Sequence, residues 1–196
     1  VRAETGVDSP AFLAEPKFDG LSLEVVYENG NFRRAVTRGD GETGEAVSDN
    51  ARTIRTLPLR LTGDDVPPML TVRGEVFQRK PHFQEVNRAR IERGEEPFAN
   101  PRNAAAGTIR RLDPKAVAEA RLDILVYDVL AIEERVLESA WEARERLAGW
   151  GLPTDKLARR LEGRAEILEF HAQLAERRDE LDYEIDGIVL KLDDLG

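Results

Sequence analysis

Apolar residues recur at every second position from Leu21 to Tyr27 (Leu21, Leu23, Val25, Tyr27), the pattern of a strand with one buried face. Asn29-Gly30 follows, a dipeptide that suits the left-handed backbone of a tight hairpin, so Phe32–Arg38 is expected to return antiparallel. A short apolar run, Phe12–Phe18, precedes this ribbon, and a glycine-rich loop, Arg38–Gly44, follows it. Thr53–Thr56 and Leu57–Leu61 read as two short strands. Pro67-Pro68 then breaks the chain before a longer strand, Met69–Phe77. Leu122–Ile132 and Tyr183–Leu192 complete the strand set.

The period changes after Pro81, a residue suited to the first turn of a helix. Phe83, Val86, Ala89 and Ile91 keep helical spacing to about Arg93, and Gly94 stops it. Phe98–Gly107 reads as a loop entering an Ala-rich helical piece, and Pro114–Ala120 as one turn or two. Glu133–Trp150, with Leu137, Trp141, Leu147 and Trp150 apolar, and Gly163–Leu181 are expected as amphipathic helices. Strands and helices are partly segregated, with no repeating βαβ unit. The expected class is α+β, mainly antiparallel sheets with flanking helices, in one domain spanning residues 1–196.

Composition narrows this little. A chain of 196 residues with 41% hydrophobic content suffices for one good core. No apolar run approaches the roughly 20 residues of a membrane span, and no basic-then-apolar leader is visible, so no membrane partner is expected. Cysteine is absent, which excludes disulfides and thiolate chemistry in this segment. Net charge is −9, against tight duplex binding by bulk electrostatics alone. Of 29 basic residues only Lys17, Lys80, Lys115, Lys156 and Lys191 are lysines. An amine does what a guanidinium does not, because it can act as a neutral nucleophile. Lys80, Lys115 and Lys156 are read as ordinary surface residues; Lys17 and Lys191 fall in motifs.

In Glu15-Pro16-Lys17-Phe18-Asp19-Gly20 a lysine ends a short strand, an acid follows on the same side of the extended chain, and glycine permits a sharp turn. By itself such a motif is more often an ordinary turn with an exposed Lys–Asp pair. A covalent nucleophile at Lys17 needs a neutral amine, which neighbouring cations favour and Asp19 opposes. That reading therefore requires basic groups near Lys17. Arg38, at the end of the return strand, and Lys191 are the candidates. In Asp186–Lys191 alternation puts Ile188 and Leu190 on one face and Gly187, Val189 and Lys191 on the other.

Lys17-Phe-Asp-Gly20 resembles the first signature of the covalent nucleotidyltransferases, the DNA and RNA ligases and mRNA-capping enzymes. Arg73-Gly-Glu-Val-Phe77 is similar to their third signature and Asp186-Gly-Ile-Val-Leu-Lys191 to their fourth. Phe98-Ala-Asn-Pro-Arg-Asn-Ala-Ala-Ala-Gly107 resembles a stretch characteristic of NAD-dependent DNA ligases of the bacterial type. Thr37–Glu45 and Asn50–Arg55 look typical of the same group. The likeness runs in order over nearly the whole chain.

The resemblance implies the covalent nucleotidyltransferase fold and a mechanism. Lys17 would attack the α-phosphate of NAD, expel nicotinamide mononucleotide and form lysyl–AMP. AMP would pass to a DNA 5′-phosphate, and the 3′-hydroxyl would seal the nick, in replication and repair in a bacterial cytoplasm. It implies catalytic roles for Lys17, Asp19, Arg38 and Lys191. Glu15 would face the adenine amino group, Glu75 the ribose, Tyr127 and Val189 the two faces of the base, and Lys191 and Arg38 the base or phosphate. Arg102, Arg110 and Arg178 would meet AMP or nick phosphates. Asp19 and Asp186 are candidate contacts for Mg²⁺ (or Mn²⁺). From the residues alone, Tyr127 reads as a core aromatic and Glu75 as an exposed strand acid; His82 and His171 fall outside every motif.

Several family features are absent from the sequence: an upstream nicotinamide-recognition segment, the last signature with its lysine, and the OB-fold, zinc, helix-hairpin-helix and BRCT regions. Zinc is expected only in that downstream part. The chain is thus expected to be one domain of a longer, monomeric protein that grips nicked duplex DNA mainly through its other modules. Alone it should bind adenine nucleotide weakly and seal no nick. An ATP- or GTP-using ligase or capping enzyme is the same-class alternative, and a non-catalytic nucleotide-binding or scaffolding module the other. The Asn100–Gly107 stretch counts against the first, and joint retention of Lys17, Asp19, Glu75, Asp186 and Lys191 against the second.

Overall fold

The computed structural model describes residues 10–39 and 43–196; Asp40, Gly41 and Glu42 of the expected glycine-rich loop lie outside the described residues. Two antiparallel sheets organise them. The larger has the order β3-β2-β4-β5, from Asn31–Thr37, Leu21–Glu28, Met69–Phe77 and Asp123–Ile132. The smaller has the order β6-β1-β7, from Arg159–Glu162, Ala11–Phe18 and Ile185–Leu192. Among the described residues six helices flank them: α1 Ser48–Ala51, α2 Lys80–Glu92, α3 Pro101–Ile109, α4 Pro114–Glu119, α5 Ala140–Gly149 and α6 Gly163–Arg177. The expected α+β class with antiparallel sheets and flanking helices is what the structure shows.

The period-2 reading of the hairpin holds because Leu23, Val25 and Tyr27 point into the main core, where each is at most 1% exposed. Asn29 and Gly30 both take positive φ, as a two-residue hairpin turn demands. Gly20, at the β1–β2 turn, is needed for close approach. A Cβ there would lie 2.3 Å from the Val76 carbonyl oxygen and 2.9 Å from Glu75 Cγ. Gly20→Ala should therefore cost about 2–4 kcal/mol through forced backbone movement. Urea unfolding would show it as a lower midpoint at unchanged slope, and an unmoved midpoint would contradict the close packing.

Three expectations need correction. Residues 53–57 form successive turns rather than a strand, closed by Thr53 N–H to Asn50 O, Ile54 N–H to Ala51 O and Leu57 N–H to Ile54 O, and of the expected strand Leu57–Leu61 only Arg60 makes an antiparallel bridge, to Asn31. These turns still bury Ile54, Leu57 and Leu61, and Tyr27 Oη ties them to the sheet by donating to Pro58 O at 2.9 Å. The helix expected from Glu133 starts only at Ala140. Ser139 caps it by accepting from Glu142 N–H at 3.0 Å, while Glu142 reaches back to Glu138 N–H. The long helix at Gly163 ends at Arg177, and Arg178–Glu180 is a single 3₁₀ turn. Two elements, α1 and β6, were not anticipated.

Candidate active site

The two sheets meet at a cleft of about 530 Å³, within the range of small-ligand sites. The small sheet contributes Glu15, Lys17, Val189 and Lys191 to its lining; the large sheet contributes Ser22, Glu75 and Tyr127. Arg38 enters from the end of β3, Arg102 from α3 and Arg110 from just beyond it. Nine of the sequence candidates thus converge on one cavity, and Ser22, Phe18, Leu21 and Gly39, not singled out from sequence, line it too. Ser22 could have been noticed as a hydroxyl in an otherwise apolar-alternating strand; its Oγ lies 3.1 Å from Tyr127 Oη.

Strand irregularities aim two of these groups. β1 and β7 pair Glu15 with Val189 and Pro16 with Ile188, but then Phe18 with Ile185, so β7 carries an extra residue opposite Lys17. Gly187, at φ 147°, accommodates that bulge. Simple alternation would set Asp186 on the face of Ile188, yet its carboxylate takes the Lys17 amine at 2.6 and 2.7 Å. On the other sheet Arg73 pairs with Asp128 and Gly74 with Val126, which leaves Tyr127 as the bulged residue whose ring enters the cleft.

Charges are distributed in three groups. Lys17, half exposed, is ion-paired with Asp186. Lys191 pairs with the buried Glu15 at 2.9 Å, donates to the Tyr127 carbonyl, and lies 5.2 Å from the Tyr127 ring centre. Arg102 holds Asp19 at 3.1 Å, and Arg110 meets Glu45 at 3.4 Å. Lys17 and Lys191 therefore line one cavity while each is engaged by its own carboxylate. Arg38 lines the same cavity, with its backbone N–H on Ser22 O. Arg102 is placed by a chain of local devices. Asn87 holds Phe98 through both backbone groups, Arg90 stacks on the Phe98 ring, and Asn100 caps α3 by accepting from Asn103 N–H.

Not every candidate arrives. Arg178 sits in the 3₁₀ turn, outside the residues that line the cleft, and its carbonyl accepts from Lys80. Asp19 and Asp186 lie at the margin, each neutralised by a cation. Among the described residues no three acidic or imidazole side chains gather as a metal site.

Burial sets the proton affinities of two carboxyls. It pushes Glu15 upward, partly offset by Lys191 and Arg144. It pushes Glu75 from 4.5 up to about 7, against the pull of Arg102, the Gly20 N–H and Lys17, with Asp19 adding to the rise. Between those two values the folded protein keeps a proton that the unfolded chain has lost. Stability from this group is thus complete below pH 4.5 and falls as pH rises toward 7, by at most about 3 kcal/mol. Glu75→Gln should abolish that fall, so the variant gains on the parent at pH 8 but not at pH 4. Urea unfolding at both values checks it; parallel pH profiles would contradict the raised affinity.

The family of the NAD-dependent DNA ligase adenylation domain matches residues 1–196. The chain belongs to this family. Within it, the chain is 51% identical to a DNA ligase of Natronomonas pharaonis over 192 residues, covering 97% of this chain and 28% of the relative. It is 48% identical to a DNA ligase of Alkalilimnicola ehrlichii over 195 residues, covering 100% of this chain and 29% of that relative. This adenylation domain thus spans under a third of the length of the relatives it matches. Among solved structures it is similar in fold to a mycobacterial DNA ligase D complexed with ATP and MES, with TM-score 0.54 and 16% identity over 94% of this chain and 49% of that one. An archaeal ATP-dependent RNA ligase gives TM-score 0.52 and 16% identity over 93% and 39%. The expected covalent nucleotidyltransferase fold is that of these two ligases.

Proposed function

We propose that this domain carries out the adenylation chemistry of an NAD-dependent DNA ligase, with Lys17 as the residue that takes AMP. The observation that supports it most is the joint position of Lys17, Glu15, Glu75, Tyr127, Arg38 and Lys191 around one cavity of nucleotide size. In this reading Tyr127 stacks on adenine and Val189 covers its other face, with Glu15 at the exocyclic amine. Glu75 accepts from a ribose hydroxyl, which its carboxylate form does best. Arg38 and Lys191 neutralise charge at the α-phosphate. Arg102 and Arg110 suit the 5′-phosphate of a nick, as forked guanidinium donors do. The Lys17 Nζ lone pair forms a P–N bond as the bond to nicotinamide mononucleotide breaks, and the amine proton leaves to a base.

For that attack Lys17 must part from Asp186. An arriving phosphate brings negative charge that competes for the cations of the cleft, so we infer that Asp186 holds the amine until the substrate displaces it. A divalent cation, Mg²⁺ or Mn²⁺, would enter on the substrate's phosphate oxygens and neutralise charge there. AMP then passes from the lysine to the DNA 5′-phosphate, and the 3′-hydroxyl across the nick attacks that phosphate and expels AMP, in replication and repair in the cytoplasm. The longer, monomeric protein supplies most of the grip on duplex DNA, so the isolated domain binds adenine nucleotide weakly and seals no nick.

Incubating the full-length protein with NAD labelled in its adenylate, and separately with labelled ATP, tests the reading. Protein-bound label from NAD alone, with release of nicotinamide mononucleotide, is expected. Label from ATP alone, or from neither, would overturn it.

A further inference from the structure

Between α3 and α4 the chain makes a turn, Arg110-Arg111-Leu112-Asp113, whose first residue lines the cleft. Leu112, near its apex, is 103% exposed, the most exposed large apolar side chain among the described residues. Single exposed leucines are ordinary on mobile loops. This one is on a pinned turn. Asn50, 7% exposed in α1, donates both protons of its side-chain amide to backbone carbonyls of the turn, Ile109 O at 2.7 Å and Arg111 O at 2.6 Å. Arg111 N–H closes on Thr108 O at 3.0 Å, and Asp113 caps α4 by accepting from Lys115 N–H at 2.9 Å. A buried amide is satisfied only by holding this turn, and the turn so held presents a leucine to solvent directly after two arginines and before the α4 cap.

We propose that Leu112 is a contact for the nicked duplex, seated on the deoxyribose and base edge beside the nick while Arg110 and Arg111 face its phosphates. This rests on the ligase reading above. A duplex edge combines regularly spaced phosphates with apolar sugar faces, which is the chemistry that two guanidinium groups and one rigid aliphatic side chain match together. The turn's continuity with the cleft puts this contact beside the place where the 5′-phosphate must sit. On a chain of net charge −9 it also gives this domain a local means of registering the duplex without a broad basic surface.

The test uses full-length protein pre-loaded with AMP and a nicked duplex ending in a 3′-dideoxynucleotide, so that binding is read without sealing. Leu112→Ala should weaken binding about tenfold, the scale of one lost aliphatic contact. Its salt slope should stay as in the parent, since no phosphate contact is lost, and lysyl–AMP formation from NAD, which involves no DNA, should be unchanged. Leu112→Met should restore most of the affinity. Arg111→Ala should instead lower the salt slope by about one. Unchanged binding by Leu112→Ala overturns the proposal. So does an equal loss in lysyl–AMP formation, which would mean that another part of the polypeptide covers Leu112. A parent protein that takes no AMP from NAD refutes the ligase reading instead; the duplex-binding comparison can then be made without loading.

Discussion

Lys17→Arg is expected to reduce adenylate transfer from NAD to less than about one-thousandth of the parent rate, the scale seen when a covalent nucleophile is removed. Arginine keeps a cation beside Asp186, so the ion pair and local charge survive while the nucleophilic amine does not. Because the Lys17–Asp186 pair is about half exposed, its loss of geometry should cost under about 1 kcal/mol of stability. The variant should therefore unfold like the parent and still bind adenine nucleotide within a few-fold. Rapid-quench assays with labelled NAD read the rate, and urea unfolding excludes a collapsed fold. Normal labelling of Lys17→Arg would place the nucleophile elsewhere.

The second large effect concerns the Glu15–Lys191 pair, where the carboxylate is 5% and the amine 24% exposed. Lys191→Met removes the cation and leaves a buried carboxylate, a change worth about 3–5 kcal/mol in fully buried pairs and toward the lower end here. Its pH dependence has a defined sign. Burial already raises Glu15, and loss of Lys191 removes the largest opposing influence, so its carboxyl rises further. The folded variant then binds a proton that the unfolded chain releases, and the variant's deficit should grow as pH rises from 5 to 8. Glu15→Gln combined with Lys191→Met should recover part of the loss, because no uncompensated charge remains. Denaturant unfolding of the two single variants and the double variant at both pH values gives the answer. A deficit independent of pH, or additive in the double variant, would show that the two groups are not coupled.

Much of this site was legible because its strands are governed by local pattern. Met69–Phe77 matches the observed bounds of β4, and alternation along β7 separates Val189 and Lys191, which line the cleft, from Ile188, which packs beside Ala14 and Phe170. What local pattern missed depends on distant partners. β6, with only Leu161 apolar in Arg159–Glu162, becomes a strand because β1 offers it an edge. Residues 53–57 have strand-like composition but continue from α1 in a series of turning hydrogen bonds. Ser139 and Glu142 form a cap that was present in the sequence and that the apolar spacing of Glu133–Trp150 obscured. The bulges that aim Asp186 and Tyr127 arise from register against β1 and β4, which no single strand discloses. Arg178 was assigned by resemblance alone, and its 3₁₀ turn leaves it outside the cleft lining.

The expectation that Arg38 and Lys191 would surround the Lys17 amine is sharpened by the geometry. Both line its cavity, but Asp186 is the group in contact, so in the proposed reaction the amine is held until substrate displaces that carboxylate. The role proposed for Lys17 rests on its place at the end of β1, opposite a bulge and in the lining of a cleft shared by two sheets.

Peptide mapping of the full-length protein after incubation with NAD tests that role most directly. The account predicts an acid-labile AMP adduct on the peptide containing Glu15-Pro16-Lys17-Phe18-Asp19 and on no other peptide. An adduct on Lys191, or on any peptide lacking Lys17, would contradict it.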